Sequence, residues 1–388
     1  MASQMSKEEE LWQAATVGDM EAVKRLTGDP DVDVNWQDPK NHRTPLYRAC
    51  GHGKLEIVKH LLAHPKIDVN RAEHEGATPF LHVCSKGDIE AVVTMLDDPR
   101  VAVTQPWKNN ATPFFQACQN GHTVVVSLLL ADGRIDPCTP SNDGATPFLV
   151  SCEFGRAEVV RLLLGDPRID PVRPDCEDAT PFFCACAESY PSVVRLLMDD
   201  PRTDPNKPRN DESTPLWYAS QNGSLDMIHL LLASDTVINT RTKSTWNNKT
   251  AAEHARWAAV QPEWKGYTDD DPERRRRDCP IIAALIDEYE MDPTPVRRRL
   301  RQLPRIRGHF IGQAFALVVF YSDNFVRLRA GKHGDISRFL RLCKLLPMDL
   351  QMVLCNRLFG SGRNIVTSID SEPGFRWLAR RFTQSLVQ

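Results

Sequence analysis

Residues 176–186 read C-E-D-A-T-P-F-F-C-A-C and set Cys176, Cys184 and Cys186 within eleven positions. Thiolates at that density could hold a soft metal or run disulfide chemistry. His60 and His64 stand at i, i+4, a spacing that puts two imidazoles on one face of a helix. No H-E-x-x-H pattern or third ligand accompanies them, so the pair reads as exposed residues at a helix end. G-S-G-R-N at 360–364 contains Gly-x-Gly but lacks the Lys-Ser/Thr framework of a phosphate loop, and reads as a turn. Neither G-x-S-x-G nor a kinase-type set of motifs occurs. Arg274–Arg277 follows D-D-D-P-E and reads as a solvated charge run beside compensating acids, with a nuclear-import signal or an acid-binding patch as its other uses. V-R-R-R-L-R at 296–301 reads as a helix with a basic face. No stacking aromatics interleave these runs, which disfavours nucleic acid. The expectation is no enzyme, no metal and no cofactor.

The elements that must position these residues follow from a 34-residue period. Thr-Pro followed by Leu or Phe occurs at Thr44, Thr78, Thr112, Thr146, Thr180 and Thr214, each 34 residues after the last. Two bulky residues and a small run come next, then Gly53, Gly87, Gly121, Gly155 and Gly223, then an apolar stretch such as L-E-I-V-K-H-L-L. Threonine can cap a helix whose first turn accepts proline, because the missing N–H would be unbonded there anyway. Glycine tolerates the left-handed conformation that ends a short helix. The second stretch has helical apolar spacing, and Asp-Pro or Asp-Gly then turns the chain. The polar segment before the next Thr-Pro is rich in Asn, Asp and Gly, as a tight hairpin would be.

Thr-Pro-Leu/Phe, the small pair, Gly, the I-V-x-x-L-L helix and Asp-Val-Asn (Asp33, Val34, Asn35; Asp68, Val69, Asn70) resemble ankyrin repeats. The resemblance covers roughly residues 10–290. It implies an all-α solenoid of stacked helix-turn-helix units joined by short β-hairpin turns. The units lie near 11–43, 44–77, 78–111, 112–145, 146–179, 180–213, 214–249 and 250–290, within an ankyrin domain spanning 8–290. The first unit lacks Thr-Pro and suits a polar cap. The last has Ala251 in place of Pro and an insertion at 259–278, with P-I-I-A-A-L-I-D-E-Y as its second helix. Repeat five has Ser189 in place of Gly, followed by Pro191, which predicts altered helix-loop geometry.

In this register Cys50, Cys84, Cys118, Cys152 and Cys186 share one column, where the family usually has Ala. They read as small packed hydrophobes. Helices about 8–10 Å apart hold neighbouring column cysteines too far apart for a disulfide. Cys184 points away from Cys186 on the same helix, and Cys176 lies at a hairpin tip. The family's usual His after Leu/Phe is replaced by Tyr47, Leu81, Phe115, Leu149, Phe183 and Trp217, which predicts apolar packing where a polar tie normally sits.

Ankyrin arrays bind proteins on a concave face of hairpin tips and first-helix ends. The resemblance carries this to the tips Asn41, Arg43, His74, Glu75, Lys108, Asn109, Asn142, Asp143, Cys176, Glu177, Asn210, Asp211, Trp246 and Asn247. It carries it also to the helix ends His52, Lys86, Asn120, Phe154, Glu188 and Asn222. The function implied is a non-catalytic scaffold for one or more unidentified protein partners, expected to be monomeric and cytoplasmic, with nuclear entry open through the Arg run.

The 388 residues carry a net charge of −3, unevenly placed: residues 1–258 hold 26 basic and 36 acidic side chains, and residues 259–388 hold 22 and 15. The start, MASQMSKEEE, is too polar for a signal peptide. The apolar run 314–321 is too short for a bilayer that needs about 20 residues. The eleven cysteines, an odd number with no secretory framework, read as reduced thiols. Beyond residue 290 the period is lost, and 291–388 reads as a helical C-terminal domain or cap for the open end of the stack. Within it L-P-M-D-L-Q-M-V-L, 346–354, resembles the opening of F-box-like helices, which raises a second function, a substrate-recruiting ubiquitin-ligase adaptor.

Overall fold

The computed structural model describes residues 5–261, 272–303 and 305–306, which form seventeen α-helices and, among the described residues, no strand. The tail helices, the F-box-like segment, the Gly-x-Gly turn and the apolar run 314–321 lie outside the described residues. Two compact units divide the chain, Met1–Cys176 and Glu177–Gln388.

The first unit holds five helix pairs: α1 (Lys7–Val17) and α2 (Met20–Thr27), α3 (Pro45–Gly51) and α4 (Leu55–Leu62), α5 (Pro79–Lys86) and α6 (Ile89–Leu96), α7 (Pro113–Asn120) and α8 (Thr123–Ala131), and α9 (Pro147–Glu153) and α10 (Ala157–Leu164). Odd-numbered helices stack on one another, and so do even-numbered ones, giving a helical solenoid. The second unit continues with α11 (Pro181–Ala187) and α12 (Pro191–Met198), α13 (Pro215–Gln221) and α14 (Leu225–Ala233), and α15 (Ala251–Val260) and α16 (Pro272–Met291). Last comes α17 (Pro293–Leu300), which packs on α14 and α16 through Val296 and Leu300.

Each Thr-Pro acts as the sequence implies. The hydroxyls of Thr44, Thr78, Thr112, Thr146 and Thr180 each accept the N–H three residues on at 3.1 Å, with Pro in the first turn. Thr214 does so at 3.2 Å. Such a cap contributes about 1 kcal/mol. The next residue in every repeat is sealed in the core: Leu46, Phe80, Phe114, Phe148, Phe182 and Leu216 are all 0–1% exposed. The cysteine column is equally buried, and burial pushes the thiols of Cys50, Cys84, Cys118 and Cys186 upward, that of Cys50 to about 12. Thiolate chemistry is thereby suppressed in this column.

The expected β-hairpins are turns instead. One cross-turn backbone bond closes most of them, as from Glu73 N–H to Ala77 O at 2.9 Å, Trp107 to Ala111 at 2.9 Å and Ser141 to Ala145 at 2.9 Å. A single bond per turn is too little to extend a ladder.

Asp-Pro-Arg and Asp-Gly-Arg turns supply a link the sequence did not reveal. Arg100, Arg134 and Arg168 each fork the aspartate two residues earlier, with Nη2–Oδ2 distances of 2.6, 2.6 and 2.7 Å. The same Nη2 donates to the carbonyl of Leu62, Leu96 or Leu130 in the preceding repeat, at 2.6, 3.1 and 3.3 Å. Those carbonyls belong to the last turn of α4, α6 and α8, where no intrahelical donor remains. Asn35 and Asn70 make a second link: the Asn35 amide donates to Lys66 O and accepts from Asp68 N–H, both at 2.8 Å. Asn70 repeats this with Arg100 O and Ala102 N–H, both at 2.8 Å.

Repeat five keeps the loop geometry of its neighbours, contrary to expectation. Ser189 takes φ 59°, close to Gly155 at 67° and Gly223 at 63°. The cost falls on the residue: a side chain in the left-handed region, with its hydroxyl buried and unbonded among the described residues. Ser189→Gly is expected to raise stability by about 1 kcal/mol, the relieved strain slightly outweighing glycine's added entropy cost. Chemical denaturation measures it, and a lower midpoint would refute the strain.

At the last repeat, α16 begins at Pro272, inside the stretch expected to be inserted, and so takes in the arginine run. The run is not uniformly solvated. Arg275 is 3% exposed and lies against Gly223, while Arg277 pairs with Asp278 at 2.8 Å. The helix has one side facing the stack, and a run of four arginines cannot avoid it.

Candidate protein-binding face

In the first unit backbone bonds join the hairpin tips, except between Glu75 and Lys108, whose side chains pair instead. His74 N–H donates to Asn41 O at 2.9 Å, Asn142 N–H to Asn109 O at 2.8 Å, and Cys176 N–H to Asp143 O at 2.9 Å. The second unit repeats these bonds from Asn210 N–H to Glu177 O at 3.1 Å and from Thr245 N–H to Asp211 O at 2.8 Å. The backbone of each tip is thereby fixed while the side chains of His74, Glu75, Lys108, Asn109, Asn142, Asp143, Cys176, Glu177, Asn210 and Trp246 stand exposed. Asn41, Arg43, Asp211 and Asn247 are half-buried. Lys108 reaches back to Glu75 at 2.7 Å, which holds that carboxyl below its usual range. Glu177 pairs with Arg209.

The helix ends are less uniform than expected. His52, Lys86 and Phe154 are exposed and Glu188 is half-buried, but Asn222 is only 3% exposed. Its amide donates to Ala187 O at 2.6 Å, so it ties two first helices together and offers no surface to a partner. Asn120 is half-buried for the same reason, donating to Ser85 O at 3.0 Å. Lys86 Nζ donates to Gly51 O at 2.6 Å, though its stem remains exposed. His122 and Arg156, just after the glycines, add donors to Ser85 O and Gln119 O, both at 2.8 Å. These positions close orphan carbonyls at helix C-termini. A donor-bearing side chain recurring after each first helix was the readable signal.

The column following the bulky pair contributes residues the sequence reading passed over: Arg48, His82, Gln116, Val150, Cys184 and Tyr218, of which Arg48, His82 and Cys184 are partly exposed. Its variation between repeats was the available signal. Arg48 lies over the Trp12 ring at 4.5 Å and donates to Thr16 at 3.0 Å. His82 stacks on Tyr47 at 4.7 Å and meets its hydroxyl at 3.2 Å. Burial and the cations Lys86, Arg43, His52 and Arg48 depress His82 to about 4. At the other end of this unit, burial raises the Glu153 carboxyl, helped by Asp143 and Asp175.

All six residues that replace the usual histidine are buried, as the apolar-packing expectation requires. Trp217 still keeps a polar tie, from Nε1 to Lys249 O at 3.1 Å. His60 and His64 are half-buried; His60 meets the Thr27 hydroxyl at 2.8 Å, and His64 accepts Lys66 N–H at 3.2 Å. Among the described residues no group of three or more His, Cys, Asp or Glu side chains could hold a metal. Nor is any helix among them long and apolar enough to cross a membrane.

A solenoid that fixes its backbone and varies its tips belongs to the class of interaction modules. The model of the family described as ankyrin repeats matches in three copies, over residues 11–105, 81–175 and 170–242. These spans exceed half of the chain, which belongs to the ankyrin repeat family, a family of protein–protein interaction modules. No curated protein matches the chain.

Proposed function

We propose that the protein is a non-catalytic scaffold that captures a protein partner through its hairpin tips and exposed first-helix ends, acting as a monomer in the cytoplasm. The backbone bonds within and between tips carry this reading: Lys108 is held by its own turn, Asn142 and Asp143 by neighbouring tips, before any partner arrives, so little ordering entropy is lost on binding. Phe154, 39% exposed at the end of α9, supplies an apolar anchor beside them. The boundary between the repeats and a C-terminal domain is placed near 290. Changing Lys108, Asn142, Asp143 and Phe154 together to alanine is expected to abolish partner co-purification, read by mass spectrometry, with helical content unchanged by circular dichroism. Undiminished capture by the quadruple variant would sink the choice of face.

A further inference from the structure

The first three helix pairs bring the cations Arg43, Arg48 and Lys86 together beside two imidazoles, His52 and His82. Arg43 and Lys86 come from a tip and a helix end, Arg48 and His82 from the column inside the first helices, and His52 from the end of α3. Their mutual repulsion shows in two groups. His82 is depressed by burial and then by Lys86, Arg43, His52 and Arg48, and Arg48 is lowered by burial and then by Arg43, with Asp38 acting in the opposite sense. Nearby carboxylates offset part of this field, Asp38 acting on Arg48 and Glu75 on Arg43, but each carboxylate is hydrogen-bonded to other groups. Asp38 is buried and accepts Asn41 N–H at 2.9 Å and Arg43 N–H at 2.8 Å. Glu73 is buried and accepts Glu75 N–H at 2.9 Å and Ala77 N–H at 3.3 Å. Glu75 is paired with Lys108. Among the described residues Arg43, Arg48 and Lys86 have no carboxylate within ion-pair distance. Their polar contacts are to neutral groups instead: Arg48 to Thr16, and Lys86 to Gly51 O.

We propose that this patch receives an acidic peptide segment, whose Asp or Glu carboxylates are held by Arg43, Arg48 and Lys86. The inference rests on the binding face named above and gives its N-terminal part a partner chemistry. Charge complementarity selects the occupant: three fixed cations with no carboxylate partner face the site. A nucleic-acid strand suits it less well. Its regular phosphates would run on toward Glu75 and Asp143, both exposed, and among the described residues no exposed Phe, Tyr or Trp of this patch offers a stacking platform, Tyr47 being 5% exposed.

The test uses the full chain and fluorescence anisotropy. The probes are a labelled Glu-Ser-Gly repeat peptide, its Lys-for-Glu counterpart, a phosphoserine version and an oligothymidylate. The Glu peptide is expected to bind in preference to the Lys peptide, and to weaken roughly tenfold as salt rises through the physiological range. Arg43→Gln with Lys86→Gln keeps side-chain stems and a donor for Gly51 O, and is expected to lower Glu-peptide affinity roughly tenfold with the thermal melt unchanged. A Val237→Ala variant, at an exposed position in the other unit and outside the binding face, is expected to bind the Glu peptide normally. Equal binding of Glu and Lys peptides, or indifference to the double glutamine change, would overturn the proposal. Tighter binding of oligothymidylate or of the phosphoserine peptide alone would reassign the patch to phosphate. If the quadruple alanine variant loses its partner while the Glu peptide fails to bind, this inference falls and the binding face stands. If that variant keeps its partner while the Glu peptide binds, the wider face falls instead.

Discussion

Phe148→Ala is expected to cost about 3–5 kcal/mol, because it empties a site that cannot close. Phe148 is 1% exposed and sits in α9, between the stacked α7 and its own partner α10. The same column holds Phe114 on the stacked α7, itself 1% exposed, so little room is left for the site to relax. In a solenoid, each repeat is held mainly by its neighbours, so loss at one position weakens two interfaces. Leu46→Ala removes a smaller side chain in the first full repeat, and falls nearer the lower end of a 2–5 kcal/mol range. Urea unfolding gives the total. Hydrogen exchange at the amides of α7, α9 and α10 locates it, since local opening there should protect less than in α3 and α5. A loss below about 1 kcal/mol would mean that the site collapses around the missing ring, against the close packing inferred.

Much of this architecture was legible in the period. Thr-Pro announces a capped helix start, and all six such threonines do accept the expected N–H. The cysteine column was readable as core because it recurs in phase with the caps, which also separated Cys176 and Cys184 from Cys186. The candidate site was legible only in part. A tip is exposed because of where the turn places it, so Lys108 and Asn142 could be named from register. A helix-end residue has a second option, reaching back across one repeat to a carbonyl, and the sequence does not show which option wins. Asn222 takes it and is buried; Phe154 has no donor and stays exposed. Ser189 misled in the opposite sense. Its identity suggested a changed loop, whereas the stack imposes the left-handed conformation whatever residue occupies the position.

The arginine links were invisible for a related reason: an Asp-Pro-Arg turn explains itself locally, and its contact lies 38 residues away. Replacing Arg100, Arg134 and Arg168 together by alanine is expected to cost about 3–7 kcal/mol at neutral pH. Each arginine contributes two parts. The fork to aspartate joins side chains 40–44% and 13–15% exposed, so solvent screening holds it to about 0.5–1 kcal/mol. The bond to a helix-terminal carbonyl is charge-assisted and adds about 0.5–1.5 kcal/mol. Acid separates the parts. Asp98, Asp132 and Asp166 are lowered from 3.8 by hydrogen bonds from their arginines. A carboxyl lowered in the folded state stabilises fully above its unfolded value and loses that contribution as pH falls through the folded one. The gap between parent and triple variant should therefore stay constant above about pH 5 and narrow as pH falls below about 3.9. It should not vanish, because the guanidinium remains charged and its carbonyl bond survives. Urea midpoints across that range measure both parts. A gap independent of pH would assign the whole effect to the carbonyl bonds, and a gap that disappears in acid would assign it to the forks.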